Sequence, residues 1–234
     1  MTNELLGTNR SKRLTEITKP KLLLGEGADE IALFNALLAY LKIADIQVID
    51  YKGKHNIDVE LAAVVKLPGF TRLESIGITR DADYFPNMAD WLVPENRGIG
   101  EAKAAFDSIC SALRKTNLEL PIPDAPMHKV SVVGKPAISI FILPDCVQTG
   151  MLEDLCLQTL ADTPEIKCVD NYFACITQEL QRTHPDYKLA KARIRVWLSI
   201  KEPPDLSFGA AAAKGLVNFD HAAFDKLKQF LQLL

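Results

Sequence analysis

The stretch "LLLGEGADE", Leu22–Glu30, decides how the chain begins to fold. Four residues, Lys21–Leu24, read as a short buried strand. The strand stops at Gly25-Glu26-Gly27, and Asp29 and Glu30 follow at the start of an apolar-periodic segment. That segment, "ADEIALFNALLAYLKI", places Ile31, Phe34, Leu37, Leu38 and Leu41 at helical spacing, so a helix packs back on the strand.

Working outward, the same alternation recurs. "IQVIDY" (Ile46–Tyr51) reads as a second strand and "VELAAVVKL" (Val59–Leu67) as a second helix, ended by Pro68-Gly69. "LESIGITRDAD" holds a third strand, Ser75–Thr79 or slightly longer, and Gly100–Asn117 a third helix. After the proline-rich "LPIPDAPM", the stretch "KVSVVGKPAISIFILP" predicts two strands in a hairpin around Gly134-Lys135-Pro136, with Ala137–Leu143 the buried member. Beyond Pro144 the chain reads as helices over Met151–Leu160, Cys168–Gln181, Lys188–Leu198 and His221–Leu234. The expected fold class is therefore α/β, with a mainly parallel, Rossmann-like central sheet flanked by helices and a C-terminal helical extension. Expected boundaries are a loose tail over 1–18, an α/β core over 19–148 and a helical region over 149–234 packed on the core.

Composition narrows the classes. The 234 residues suit one large domain, and a net charge of −3 supplies no global basic field. Five cysteines without C-x-x-C spacing and four scattered histidines argue against a zinc site. No secretory segment is evident, so the thiols read as reduced and the protein as cytoplasmic. No apolar run approaches the roughly 20 residues of a membrane span. The sequence holds no G-x-x-x-x-G-K-[ST] motif, and "GAAAAKG" (Gly209–Gly215) is not a phosphate loop.

Two acidic clusters occupy equivalent places. Glu26, Asp29 and Glu30 follow the first strand; Asp81 and Asp83 follow the third. In a parallel sheet both are carboxyl ends, where ligands bind. If the backbone stays extended, Asp81 and Asp83 point to one side. Like charges that close raise each other's pKa, and a divalent cation offsets the repulsion. Mg²⁺ suits a sparse carboxylate set because it keeps several waters. Each cluster alone also fits helix capping, with Asp29 or Glu30 favouring the first turn.

"LLLGEGADE" together with "GITRDAD" resembles the Toprim domain of topoisomerases, bacterial primases, small RNA-maturing nucleases and OLD-family nucleases. The glutamate turn matches at Glu26-Gly27-Ala28-Asp29-Glu30 and the Asp-x-Asp motif at Asp81-Ala82-Asp83. The likeness covers roughly Lys21 to Pro144. The whole chain also resembles a group of bacterial Toprim-like proteins of this length, through Phe141–Asp145 ("FILPD") and Gly150–Leu155 ("GMLEDL"). Gly25 stands where many relatives carry valine. The resemblance implies metal-dependent phosphodiester chemistry on DNA or RNA, with a nuclease the simplest case. It implies Mg²⁺ or Mn²⁺ held by Glu26, Asp81, Asp83 and Asp29, with Glu153 reaching a second ion. Glu26 has a general acid–base role as the other option. An alternative is a non-catalytic module that partners a separate ATPase chain.

Basic residues enter as phosphate contacts: Lys54 in "KGKHNI", Arg80 and Arg97, each also readable as solvated surface charge. In "KLAKARIRVWLSIK", Lys188, Lys191 and Arg195 share one helix face, while Ile194, Trp197 and Leu198 face inward. That face reads either as a nucleic-acid backbone contact or as a solvated surface. The cysteines read as packing residues.

Overall fold

The computed structural model describes residues 16–52, 57–84, 99–116, 118–181 and 186–234. Four strands form one parallel sheet: β1 (Lys21–Gly25), β2 (Ile46–Asp50), β3 (Ser75–Asp81) and β4 (Ala137–Leu143), in the order β2-β1-β3-β4. Apolar runs such as LLL and AISIFIL are what a strand buried on both faces requires. All seven residues of β4 are buried.

Strand alternation sorts the side chains onto two layers. Leu22, Leu24, Ile76, Ile78, Ile138, Ile140 and Ile142 share one core with helices α2 (Ile57–Val64) and α3 (Ile99–Lys115). Leu23, Phe141 and Leu143 face the other way, into a core shared with α1 (Ala28–Tyr40) and the C-terminal helices. Those are α4 (Leu152–Leu160), α5 (Pro164–Leu180), α6 (Asp186–Ser199), α7 (Phe208–Ala213) and α8 (Asp225–Leu233). The C-terminal helices thus complete the layer that α1 begins. α7 closely approaches α1 at Gly209, where a Cβ would sit 2.1 Å from the Ala32 methyl. The Leu234 side chain fills the space above Gly77, where a Cβ would meet it at 2.9 Å.

Several local expectations are corrected. The tail is shorter than residue 18: Ile17 is buried and its N–H donates to Pro68 O. The first arm of the expected hairpin makes only the isolated antiparallel bridge Val130–Ile138. Its next residues do not form a ladder, since Val133 is fully exposed and Pro136 has no N–H to give. β3 takes the slightly longer form of its expected span, running on to Asp81 and pairing with β4 to its last residue. The segment read as one helix from His221 opens with a 3₁₀ turn, Ala222–Phe224, before α8. The first five residues of "GAAAAKG", Gly209–Ala213, lie on α7, a helix not expected from the pattern. Among the cysteines, Cys110 and Cys156 are buried and Cys146 is half-buried, whereas Cys168 and Cys175 are exposed on α5 and are not the core residues expected. No helix among the described residues is long and apolar enough to cross a membrane.

Candidate metal centre

The chain leaves β1 toward β2 on one side and returns through β3 on the other. The reversal puts a crevice between the carboxyl ends of β1 and β3, the place where open α/β sheets bind ligands. Three carboxylates meet there. One oxygen each from Glu26, Glu30 and Asp81 lies within 4.8 Å of the others, a spacing that could hold a metal ion.

Each acid is placed by a different piece of backbone. Glu26 is the first residue beyond β1. Glu30 stands in the first turn of α1, on the helix face that carries Phe34 and Leu37 one and two turns later, so it is turned inward and is only 5% exposed. Its Oε2 accepts the Glu26 N–H at 2.7 Å and lies 3.3 Å from Thr79 Oγ1. Thr79 Oγ1 is also 3.1 Å from Leu24 O. The single Thr79 hydroxyl hydrogen is shared between the two acceptors, Glu30 Oε2 and Leu24 O. Asp81 ends β3 and shares the α1 layer with Thr79. Its Oδ1 accepts the Leu152 N–H at 2.9 Å, which ties it to the N-terminus of α4.

Electrostatics express the crowding. Burial pushes the Glu30 carboxyl up to about 8, with the Glu26 charge adding to the shift. Asp81 is raised well above the usual carboxylate range, first by burial and then by Glu30, Glu26 and Glu153. Glu153, in the first turn of α4, is raised mainly by burial, against the pull of Lys191, whose Nζ lies 4.0 Å away. An all-oxygen set of crowded carboxylates, one buried and two half-buried, fits a hard divalent cation, whose charge favours their ionised forms. No soft ligand joins the set among the described residues.

Gly25 acquires a reason that conformational freedom does not supply. A Cβ there would press on Glu30 Oε2 at 3.1 Å and on the Phe34 ring at 3.2 Å. Glycine is what lets the buried glutamate sit against the end of the strand. A Cβ on Gly27 would meet nothing within 4 Å, and its backbone is extended, so it leaves open space at the start of α1.

The other expected residues scatter. Asp83 has φ 63° and bridges to Gly150, so the extended alternation ends at Ala82 and Asp83 does not join the three oxygens. Asp29 turns toward α7, where its Oδ1 accepts the Gly209 N–H at 3.4 Å. Arg80 alternates to the opposite layer and donates to Ser108 Oγ at 2.7 Å on α3. Asp154 holds the start of α4, accepting the Met151 N–H at 2.8 Å and the Tyr84 hydroxyl at 2.6 Å. Lys54 and Arg97 lie outside the described residues. By local pattern Glu30 reads only as a helix-start residue. Its four-residue step to Phe34, within the apolar stripe, is the signal that it points inward.

A model of the family described as "Protein of unknown function (DUF3226)" matches residues 20–234. The chain belongs to this family. The DUF3226 match spans the sheet and the C-terminal helices alike, so Glu26, Glu30, Asp81 and Glu153 all fall within it. No curated protein and no solved structure matches the chain.

Proposed function

We propose that this DUF3226 protein is a Mg²⁺- or Mn²⁺-dependent enzyme of phosphodiester chemistry on nucleic acid, a nuclease. The observation that carries the reading is the convergence of Glu26, Glu30 and Asp81 at the crevice between β1 and β3. The resemblance to Toprim domains supplies the reaction class.

In this reading Glu26, Glu30 and Asp81 hold the cation. Thr79 and the Glu26 N–H fix Glu30, and the Leu152 N–H fixes Asp81, so these ligands are oriented before anything binds. Glu30 releases its proton on loading. Glu153 sits one step outward and adjusts the charge of the set through its pairing with Lys191. When bound, the cation supplies Lewis-acid polarisation of a phosphodiester and a template for the attacking water.

A second reading is a non-catalytic module that partners a separate ATPase chain. It draws on the same hydrogen bonds, which already give Glu30 and Asp81 a structural role at the start of α1 and α4. Mn²⁺ titration by calorimetry, with cleavage assays on single-stranded DNA, duplex DNA and RNA, separates the two. Metal-dependent cleavage lost in both Glu30→Gln and Asp81→Asn supports the enzyme. Absence of Mn²⁺ binding at millimolar metal overturns it. Mn²⁺ binding without cleavage, together with co-purification of an ATPase, selects the module.

A further inference from the structure

The cations of α6 and of the turn that ends it divide into two rows. Arg193 and Lys201 turn toward α5, where Arg193 pairs with Asp170 at 2.7 Å and Lys201 with Glu165 at 3.3 Å. Lys188, Lys191 and Arg195 turn outward and are exposed, while Ile194, Trp197 and Leu198 beneath them are buried. Positions 188, 191 and 195 fall on one helix face and span about 10 Å of its axis. The middle member of the outward row, Lys191, reaches Glu153 at 4.0 Å. Glu153 in turn is near enough to Glu30 and Asp81 to act on both charges. The row therefore passes the carboxylate crevice at its midpoint, where Lys191 meets Glu153, the residue after the Leu152 whose N–H holds Asp81, with Lys188 and Arg195 to either side, on a chain whose net charge is −3.

We propose that the outward face of α6, Lys188–Lys191–Arg195, is the track on which a single-stranded nucleic acid lies as its backbone enters the carboxylate crevice. Charge complementarity argues for a polyanion. A cluster of acids repels phosphate, so a substrate with that chemistry needs cations beside the acids, and this row supplies them in the adjoining helix. The three exposed cations on one helix face, beside the acids of the crevice, form the surface that a phosphate backbone would meet. The half-buried crevice argues for a single strand, which bends a phosphate into a recess where a stiff duplex first has to be deformed.

The proposal rests on the phosphodiester reading above, but its test does not require metal. Binding of a fluorescein-labelled oligothymidylate is followed by anisotropy in EDTA across a salt series, for wild type, the Lys188→Ala/Arg195→Ala double variant and Lys103→Ala. Lys103 is an exposed cation on α3, paired with Asp107. The double variant is expected to bind about 10-fold more weakly at low salt, with a log–log salt slope shallower by about 1.4, two phosphate contacts on a single strand. Lys103→Ala leaves both unchanged. Equal affinity and slope for wild type and the double variant overturn the track, as does an equal loss in Lys103→Ala or tighter binding of a duplex competitor. Circular dichroism melts confirm that the exposed substitutions leave the fold intact. Mn²⁺ calorimetry on the same samples keeps the readings apart. Failure of metal binding in wild type counts against the metal centre alone, and loss of the salt-slope difference counts against α6 alone.

Discussion

The turns that follow β1 and β2 start from paired positions, Gly25 opposite Asp50, and both open a helix with acids in its first turn. They end differently. After β1, Glu30 is 5% exposed and meets Glu26 and Asp81. After β2, Asp58 stays at the surface, accepts the Val59 N–H at 3.0 Å and pairs with Lys115 at 3.5 Å. The local pattern is the same, but the neighbourhood is not. β1 is an inner strand, with β3 beside it carrying Asp81, and α1 is covered by α7. β2 is an edge strand, with no second acidic strand end beyond it among the described residues. An acid in a first turn becomes a ligand candidate only where another strand and another layer close over it.

That contrast is broken most directly by removing the acids. Asp81→Ala or Glu30→Ala is expected to lower Mn²⁺ affinity at least about 100-fold, more than loss of a supporting partner typically costs. Calorimetry checks this, and Asp58→Ala on the matching turn leaves the affinity unchanged.

Next in size is the response to pH. The Glu30 carboxyl sits at about 8 when folded, against 4.5 ordinarily, and Asp81 is raised as well. Between those values the folded protein holds protons that the unfolded chain has released. Without metal, Tm is expected to fall as pH rises from 4.5 to about 8. Mn²⁺ restores it at the alkaline end, and Glu30→Gln removes the Glu30 share of the dependence while that of Asp81 remains. A Tm that climbs over this window would contradict the buried, protonated Glu30.

The two glycines of the β1 turn sharpen the comparison further. Gly25→Ala puts a methyl against Glu30 and Phe34 and is expected to cost about 1–3 kcal/mol in urea unfolding, with weaker Mn²⁺ binding. Gly27→Ala meets nothing within 4 Å and is expected to stay within about 0.5 kcal/mol of wild type. Equal effects at the two positions would remove the steric reason for Gly25. The smallest change is Asp58→Ala itself, with a stability loss of about 0.5 kcal/mol, because its contacts are made at the solvent-facing start of α2.

Glu26 and Asp81 were legible as partners because each sits at the carboxyl end of a strand, and strand ends in a parallel sheet share one edge. Glu30 was not, because acids in a first helical turn are ordinary and only packing distinguishes one that is buried. Asp83 misled for the opposite reason. Its spacing from Asp81 implies one side only on an extended backbone, and φ 63° at Asp83 ends that extension. Arg80 was misplaced by a single step of strand alternation, which sends it to the layer opposite Asp81.

Apolar runs of strand length, alternating with helix-period segments, were enough by themselves to determine an α/β fold with a parallel sheet. Those signals are local and repeat every few residues. Only the tertiary structure decided which carboxylates meet. The C-terminal helices had to fold back over α1 and bring the Leu152 N–H to Asp81, across 71 residues of sequence. Burial, and with it the charge state of Glu30 and Asp81, comes from that closure and has no counterpart in local pattern.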